Sequence, residues 1–237
     1  MIWQTLKRLY TTVSIAAQEG GFSVVLDSQL LCTPSGLPLI VPSRSLAVGI
    51  ADEWQVQGSK IRPFTMPLTQ LASTAIDRMP FLRQEGLATL MALAATDLVC
   101  YRATAPPALV EHQQTQWQPL LDWIAQRYGA SLMVTAGVMP IVQSPVALAK
   151  LHAILSEMDS LHLAALYRAA TLCSSLVIAL ALVDGNISAD VAFAATQLDL
   201  LFQGEHWGID DEVAARHSDL HAELHALVRF TALLQAT

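Results

Sequence analysis

The sequence predicts an α+β protein with a small, antiparallel, β-rich N-terminal domain crossed by helices and a larger all-helical C-terminal domain. Two observations carry this. Up to about residue 41, short β-branched and aromatic runs alternate with Gly, Pro, Asp and Ser turn residues. Beyond about residue 80, Leu- and Ala-rich segments with apolar residues at helical spacing take over. The change of character sets the expected domains at residues 1–82 and 83–237.

Each element has its own signal. Residues 11–17 form a β-rich run, Gly20 and Gly21 break it, and residues 22–26 resume it. Asp27, Ser28 and Gln29 can turn the chain into a strand at 30–33, and Pro34, Ser35 and Gly36 turn it again before 37–41. Ser43 is a candidate N-cap for a helix carrying Leu46, Ile50 and Trp54 on one face, which Gly58 ends. After an extended stretch at 61–64, residues 66–79 offer Leu68, Leu71, Ala72, Ala75 and Ile76 as a buried stripe, closed by Pro80. The C-terminal helices are expected at 83–99, 109–128, 145–156, 160–183, 189–202 and 211–234, punctuated by Gly129, Pro140, Gly185 and Gly208. Residues 131–135 read equally as a short strand or a loop.

Composition excludes several classes. With 13 Lys and Arg against 20 Asp and Glu, the chain has no electrostatic attraction for phosphate backbones, so no nucleic-acid partner is expected. The longest apolar run, residues 169–183, is interrupted by Thr171, Ser174 and Ser175, and it is too short for the roughly 20 residues of a membrane helix. No membrane insertion is expected. Cys32, Cys100 and Cys173 stand far apart and suggest small core residues in a reducing compartment, not a metal or redox pair. Lys7 and Arg8 precede no apolar segment, which argues against secretion.

Catalytic signatures are not found. Gly20-Gly21 lacks the strand-to-helix setting of a phosphate cradle, and no serine or cysteine stands in a nucleophile pattern. We therefore expect no enzyme and no cofactor. His217, His221 and His225 recur every four residues, but all three together span more than one ion reaches, so a solvated polar face is the plainer reading. Asp210 and Asp211 suit a helix N-terminus. Glu53 and Asp77 sit inside apolar helices, where a carboxylate must be paired or capped, and Arg62, Arg78 or Arg102 is a candidate partner.

A family resemblance rests on blocks of residues in a fixed order. They are Val25-Leu26-Asp27 with Thr33-Pro34, Leu46-Ala47 with Glu53-Trp54 and Gln57, and Met66-Pro67-Leu68-Thr69 with Leu71-Ala72 and Ala75-Ile76-Asp77. Thr96-Asp97-Leu98 with Tyr101-Arg102, Gln116-Trp117, Pro119-Leu120 and Trp123 follow. The last blocks are Ser174-Ser175-Leu176, Ala179-Leu180-Ala181, Phe202-Gln203, Glu205, Trp207-Gly208, Asp210, Glu212 and Arg216. Together they resemble the mitochondrial and bacterial chaperones that assemble the F1 sector of the ATP synthase by holding its alpha subunit. Departures occur at Ser28 and Gln29, where the family usually has a glycine and a basic residue, at Cys32, where a lysine is common, and at Leu200, where the family tends to have an acid.

The resemblance implies the same α+β fold and a holding role, in which the protein binds the free alpha subunit, prevents its aggregation and yields it to the beta subunit. We expect the free protein to be monomeric. Among the acids, Asp190 falls where the family has one, and Glu205, Asp210 and Glu212 flank Trp207. Asp190, Glu205, Trp207, Asp210 and Glu212 are therefore the expected client contact, while Glu53, Trp54, Asp77, Asp97 and Arg102 are expected to hold the fold. The family-like region starts almost at Met1, which favours the bacterial cytoplasm over a processed protein of the mitochondrial matrix. The competing reading is a small-molecule enzyme with Asp77, Asp97, Tyr101 and Arg102 in an interdomain cleft.

Overall fold

In the computed structural model, which describes residues 7–137, 139–208 and 210–236 and omits the side chains of His206 and Trp207, a hairpin opens the chain. Strand β1 (Val13–Gln18) runs antiparallel to β2 (Gly21–Leu26), with Gln18 opposite Gly21. Gly21 has φ +149°, and a Cβ there would sit 2.2 Å from the Val41 carbonyl oxygen, so only glycine fits. Strands β3 (Gln29–Leu30) and β4 (Ile40–Val41) pair with opposite ends of β2, through Val25 with Leu30 and Phe22 with Val41.

Helix α1 (Arg44–Gln55) starts at Ser43, whose hydroxyl accepts from the Leu46 N–H, and packs on β1 and β2. Leu46, Ala47 and Ile50 are buried on its inner face, beside Val24, Leu39 and Val41. Residues 61–64 are not extended as expected. Gln57 accepts from the Arg62 N–H and donates to Thr65 Oγ1, drawing Pro63–Thr65 into one turn of 3-10 helix. Helix α2 (Pro67–Asp77) follows, and α3 (Met79–Ala95) begins almost at once. Pro80, expected to close a helix, instead lies in the first turn of α3, where its missing N–H has no intrahelical role.

The chain forms two compact units. The first comprises Met1–Arg83, Ser160–Ala165 and Arg229–Thr237; the second comprises Gln84–Asp159 and Leu166–Val228. In the first, Ser43 Oγ also lies 2.6 Å from the Leu233 carbonyl and 2.8 Å from that of Ala236, which fixes the end of the chain beside α1.

The second unit has a 3-10 turn at Leu98–Cys100, then β5 (Tyr101–Arg102) and α4 (Pro107–Tyr128). Gly129 ends α4 with φ +65°, and residues 135–136 form β6 (Thr135–Ala136), parallel to β5. Helix α5 (Pro145–Glu157) leads to α6 (Ser160–Cys173) and α7 (Leu176–Val183). The single helix expected at 160–183 is thus two. Ser174 turns left-handed at φ +50°, and Ser175 caps α7 by accepting from the Ile178 N–H. Every residue of α7 is buried, and α4 and α8 (Ala189–Thr196) pack against it. The expected helix at 189–202 is likewise divided at Gln197 into α8 and α9 (Leu198–Trp207), and α10 (Asp211–Gln235) closes the chain.

Candidate functional site

Three helix ends place the acids of the expected client surface. Ser188 accepts from the Val191 N–H and starts α8, setting Asp190 in its first turn. Glu205 lies in the last turn of α9, and Trp207 ends that helix, its side chain lying outside the described residues. Asp210 accepts from the Val213 N–H at 2.8 Å and caps α10; Glu212 pairs with Arg216 one turn on. All four acids face solvent. Asp190 takes part in a contact between helices: its Oδ1 lies 2.7 Å from His221 Nε2 and 3.2 Å from His225 Nε2. Those bonds, that of His221 first, hold its carboxyl below the usual aspartate range.

The histidine series therefore divides. His221 and His225 turn to Asp190, with ring centroids 4.5 Å apart, while His217 stands edge-on to Phe193. Sequence spacing marked the histidines but missed Asp190 as their partner, because it comes from another helix 31 residues away.

The residues expected to hold the fold are engaged inside their own units. In the first unit, Glu53 reaches from α1 to the start of α2, where its carboxylate accepts from Leu68 N–H at 2.8 Å, Thr69 N–H at 2.9 Å and Thr69 Oγ1 at 2.7 Å. Burial pushes its carboxyl above the ordinary value, against the pull of these bonds and of the Arg229 charge. The hydrogen bonds that reach its carboxylate come from the start of α2 and not from Arg62, Arg78 or Arg102, so backbone amides at a helix N-terminus, with the Arg229 charge beyond them, take the part expected of those cations. Asp77 accepts from Thr33 Oγ1 at 2.6 Å and Ser35 N–H at 3.1 Å, tying the end of α2 to the turn after β3. Trp54 packs against Tyr10, whose hydroxyl donates to the Trp54 carbonyl at 2.6 Å.

In the second unit, Asp97 is wholly buried and accepts from Ser175 Oγ, Val177 N–H and Val99 N–H at 2.6, 3.0 and 3.2 Å. Burial raises its carboxyl to about 6. Arg102 donates to the Val99 and Gln113 carbonyls and lies over the Trp117 ring. Trp117 donates in turn to the Ala195 carbonyl at 2.8 Å, joining α4 to α8. Gln113, which drew no notice in the sequence, links Ala103 N–H to Asp199.

Asp97 is engaged by Ser175, Val177 and Val99, and Arg102 bonds through Nε and Nη1 while its Nη2 is buried without a hydrogen-bond partner. Burial pushes the Cys100 thiol to about 12 and that of Cys173 to about 11, so neither offers a thiolate. An open hollow of about 430 Å³ in the first unit is lined by Phe22, Pro42, Ser43, Arg44, Ser45, Leu234, Gln235 and Ala236, with Arg44 its one titratable side chain among the described residues. No helix among the described residues is long and apolar enough to cross a membrane.

Comparison with known proteins gives this arrangement its context. Residues 7–125 match the family described as ATP12 chaperone protein. The mitochondrial protein atp12 of Schizosaccharomyces pombe is 28% identical over 233 residues, which cover 93% of this chain and 80% of that protein. The crystal structure of Atp12 from Paracoccus denitrificans superposes with a TM-score of 0.93 at 40% identity, over 99% of this chain and 100% of that one. A structure from Agrobacterium tumefaciens does so with a TM-score of 0.91 at 35% identity, over 97% of this chain and 86% of that one. The fold thus agrees along nearly the whole length, and the chain belongs to the ATP12 family of chaperones for ATP synthase assembly.

Proposed function

We propose that the protein holds the free alpha subunit of the F1 head, keeps it from aggregating, and yields it to the beta subunit as the head is built. The observation that carries this is the likeness to an Atp12 structure over 99% of the chain. Physical chemistry supports it. A subunit of an alternating ring exposes a large apolar interface while alone, and such surface aggregates unless covered. A holder bound more weakly than the final neighbour is displaced by mass action, so holding needs no turnover, nucleotide or cofactor. The protein is therefore not an enzyme. Its place of action is the bacterial cytoplasm, or the matrix for a mitochondrial member.

The client contact we assign to the surface bearing Asp190, Glu205, Trp207, Asp210 and Glu212. Exposed Val191 on α8 and Leu200 on α9 supply apolar contact beside the acids of the same helices. Tryptophan is enriched at interface anchors, and a rim of charge orients the partner. Glu53, Trp54, Asp77, Asp97 and Arg102 maintain the fold, each within its own unit.

Co-expression with isolated alpha or beta subunit tests both statements. The chain is expected to keep alpha soluble and not beta. Reversing charge at Asp190, Glu205 and Glu212 together is expected to cut the alpha subunit retained at least tenfold, with the circular dichroism of the folded chain kept. Unchanged retention in that variant moves the contact elsewhere, and solubility of neither subunit removes the holding function.

A further inference from the structure

We propose that Asp190, His221 and His225 form a binding site for one divalent transition-metal ion of the zinc, nickel or copper class. One carboxylate oxygen and two imidazole nitrogens lie within 4.8 Å of one another there. That donor set favours late first-row ions over magnesium or calcium, which take oxygen ligands.

The geometry is close to that of a filled site. Ligand atoms held about 2.1 Å from a tetrahedral zinc ion stand roughly 3.4 Å apart. Oδ1 of Asp190 is already 2.7 and 3.2 Å from the two Nε2 atoms, so an ion enters with small shifts in flexible side chains. His221 and His225 are one turn apart within the 25-residue helix α10, on the same face, which fixes their separation through the backbone. Phe193 stands edge-on to the His221 ring, 5.4 Å between centroids, and limits its rotation. Asp190 is set by the capped first turn of α8. Both rings coordinate as neutral imidazoles through a bare Nε2, with the proton on Nδ1.

Three protein ligands on a half-exposed surface leave one position to water. The side chains of His221, His225 and Asp190 are 43%, 50% and 69% exposed, so an ion has free entry. Occupancy clamps α8 to α10 and neutralises part of the Asp190 charge. The site goes beyond the holding function, and its test needs no client.

The test is zinc chloride titrated by calorimetry into the full chain freed of any affinity tag, with cobalt(II) absorption as a second signal. One equivalent is expected to bind with a dissociation constant in the micromolar range, and saturating zinc is expected to raise the melting temperature by about 5 °C. The His221→Ala/His225→Ala variant is expected to lose the affinity at least ~100-fold, and Asp190→Asn roughly tenfold, while His217→Ala binds like the parent. These side chains are half-exposed, so circular dichroism is expected to be unchanged. Absence of a one-to-one isotherm up to millimolar zinc in the folded parent overturns the site. So does equal affinity in the double-histidine variant.

Discussion

The buried Asp97 carboxylate accepts a 2.6 Å hydrogen bond from the hydroxyl of Ser175, 78 residues later in the chain. Ser175 in turn accepts from the Ile178 N–H at 3.0 Å, so this one contact holds the N-terminus of the fully buried helix α7 to the turn before β5. Ser175→Ala removes the cap and one Asp97 donor together. It is expected to cost about 3 kcal/mol, measured as a lower urea midpoint at unchanged slope.

The same carboxylate sets a pH dependence. Its folded value of about 6 lies above the ordinary 3.8, so the folded chain holds this proton more tightly than the unfolded chain does. The associated stability is full below about pH 4 and is lost as pH rises through about 6, a change of about 3 kcal/mol. Glu53, also raised, acts in the same sense. Asp27, lowered to about 2 by the Thr12 and Thr11 hydrogen bonds, acts in the opposite sense, and its effect falls below about pH 4. Urea melts from about pH 4.5 to 7.5 are expected to show declining stability, with a shallower decline in Asp97→Asn. An equal slope in that variant assigns the effect to another group.

Glu53 tests whether a carboxylate can replace a local cap. Met66, at the N-cap position of α2, supplies no side-chain bond, and Glu53 from α1 takes over the Leu68 and Thr69 amides. Glu53→Ala leaves these donors without an acceptor and is expected to cost about 3 kcal/mol; Glu53→Gln, which keeps one acceptor oxygen, is expected to cost about 1 kcal/mol. Urea midpoints of the two variants check the difference.

Adjacent glycines separate steric from conformational cost. Gly20 and Gly21 both have positive φ, but a Cβ at Gly20 meets open space, whereas at Gly21 it runs into the Val41 carbonyl. Gly20→Ala is expected to cost about 1 kcal/mol and Gly21→Ala at least ~3 kcal/mol, because the second also parts β4 from β2. Thermal melts of the two variants check the order.

Much of the architecture was legible in local signals. Turn residues marked the strands of the sheet, and Ser43 and Asp210 marked helix starts at which their side chains accept backbone N–H bonds. What misled was continuity of composition. Residues 160–183 read as one apolar helix because Ser174 and Ser175 differ little from helix residues in hydropathy, and their break is decided by Asp97, far upstream. Pro80 is a similar case: its restriction is the same at a helix end or a helix start, and only the register of α3 decides which.

By itself, the sequence determined the fold class and the chaperone resemblance, both of which depend on periodicity and on ordered blocks of residues. The tertiary structure decided which acid meets which donor. Glu53 finds the α2 amides, Asp97 finds Ser175, and Asp190 finds His221 and His225, each across 15 or more positions. The reason is physical: hydropathy repeats along a chain are set by backbone geometry, but a polar contact between elements is set by how those elements pack, and no local spacing encodes it.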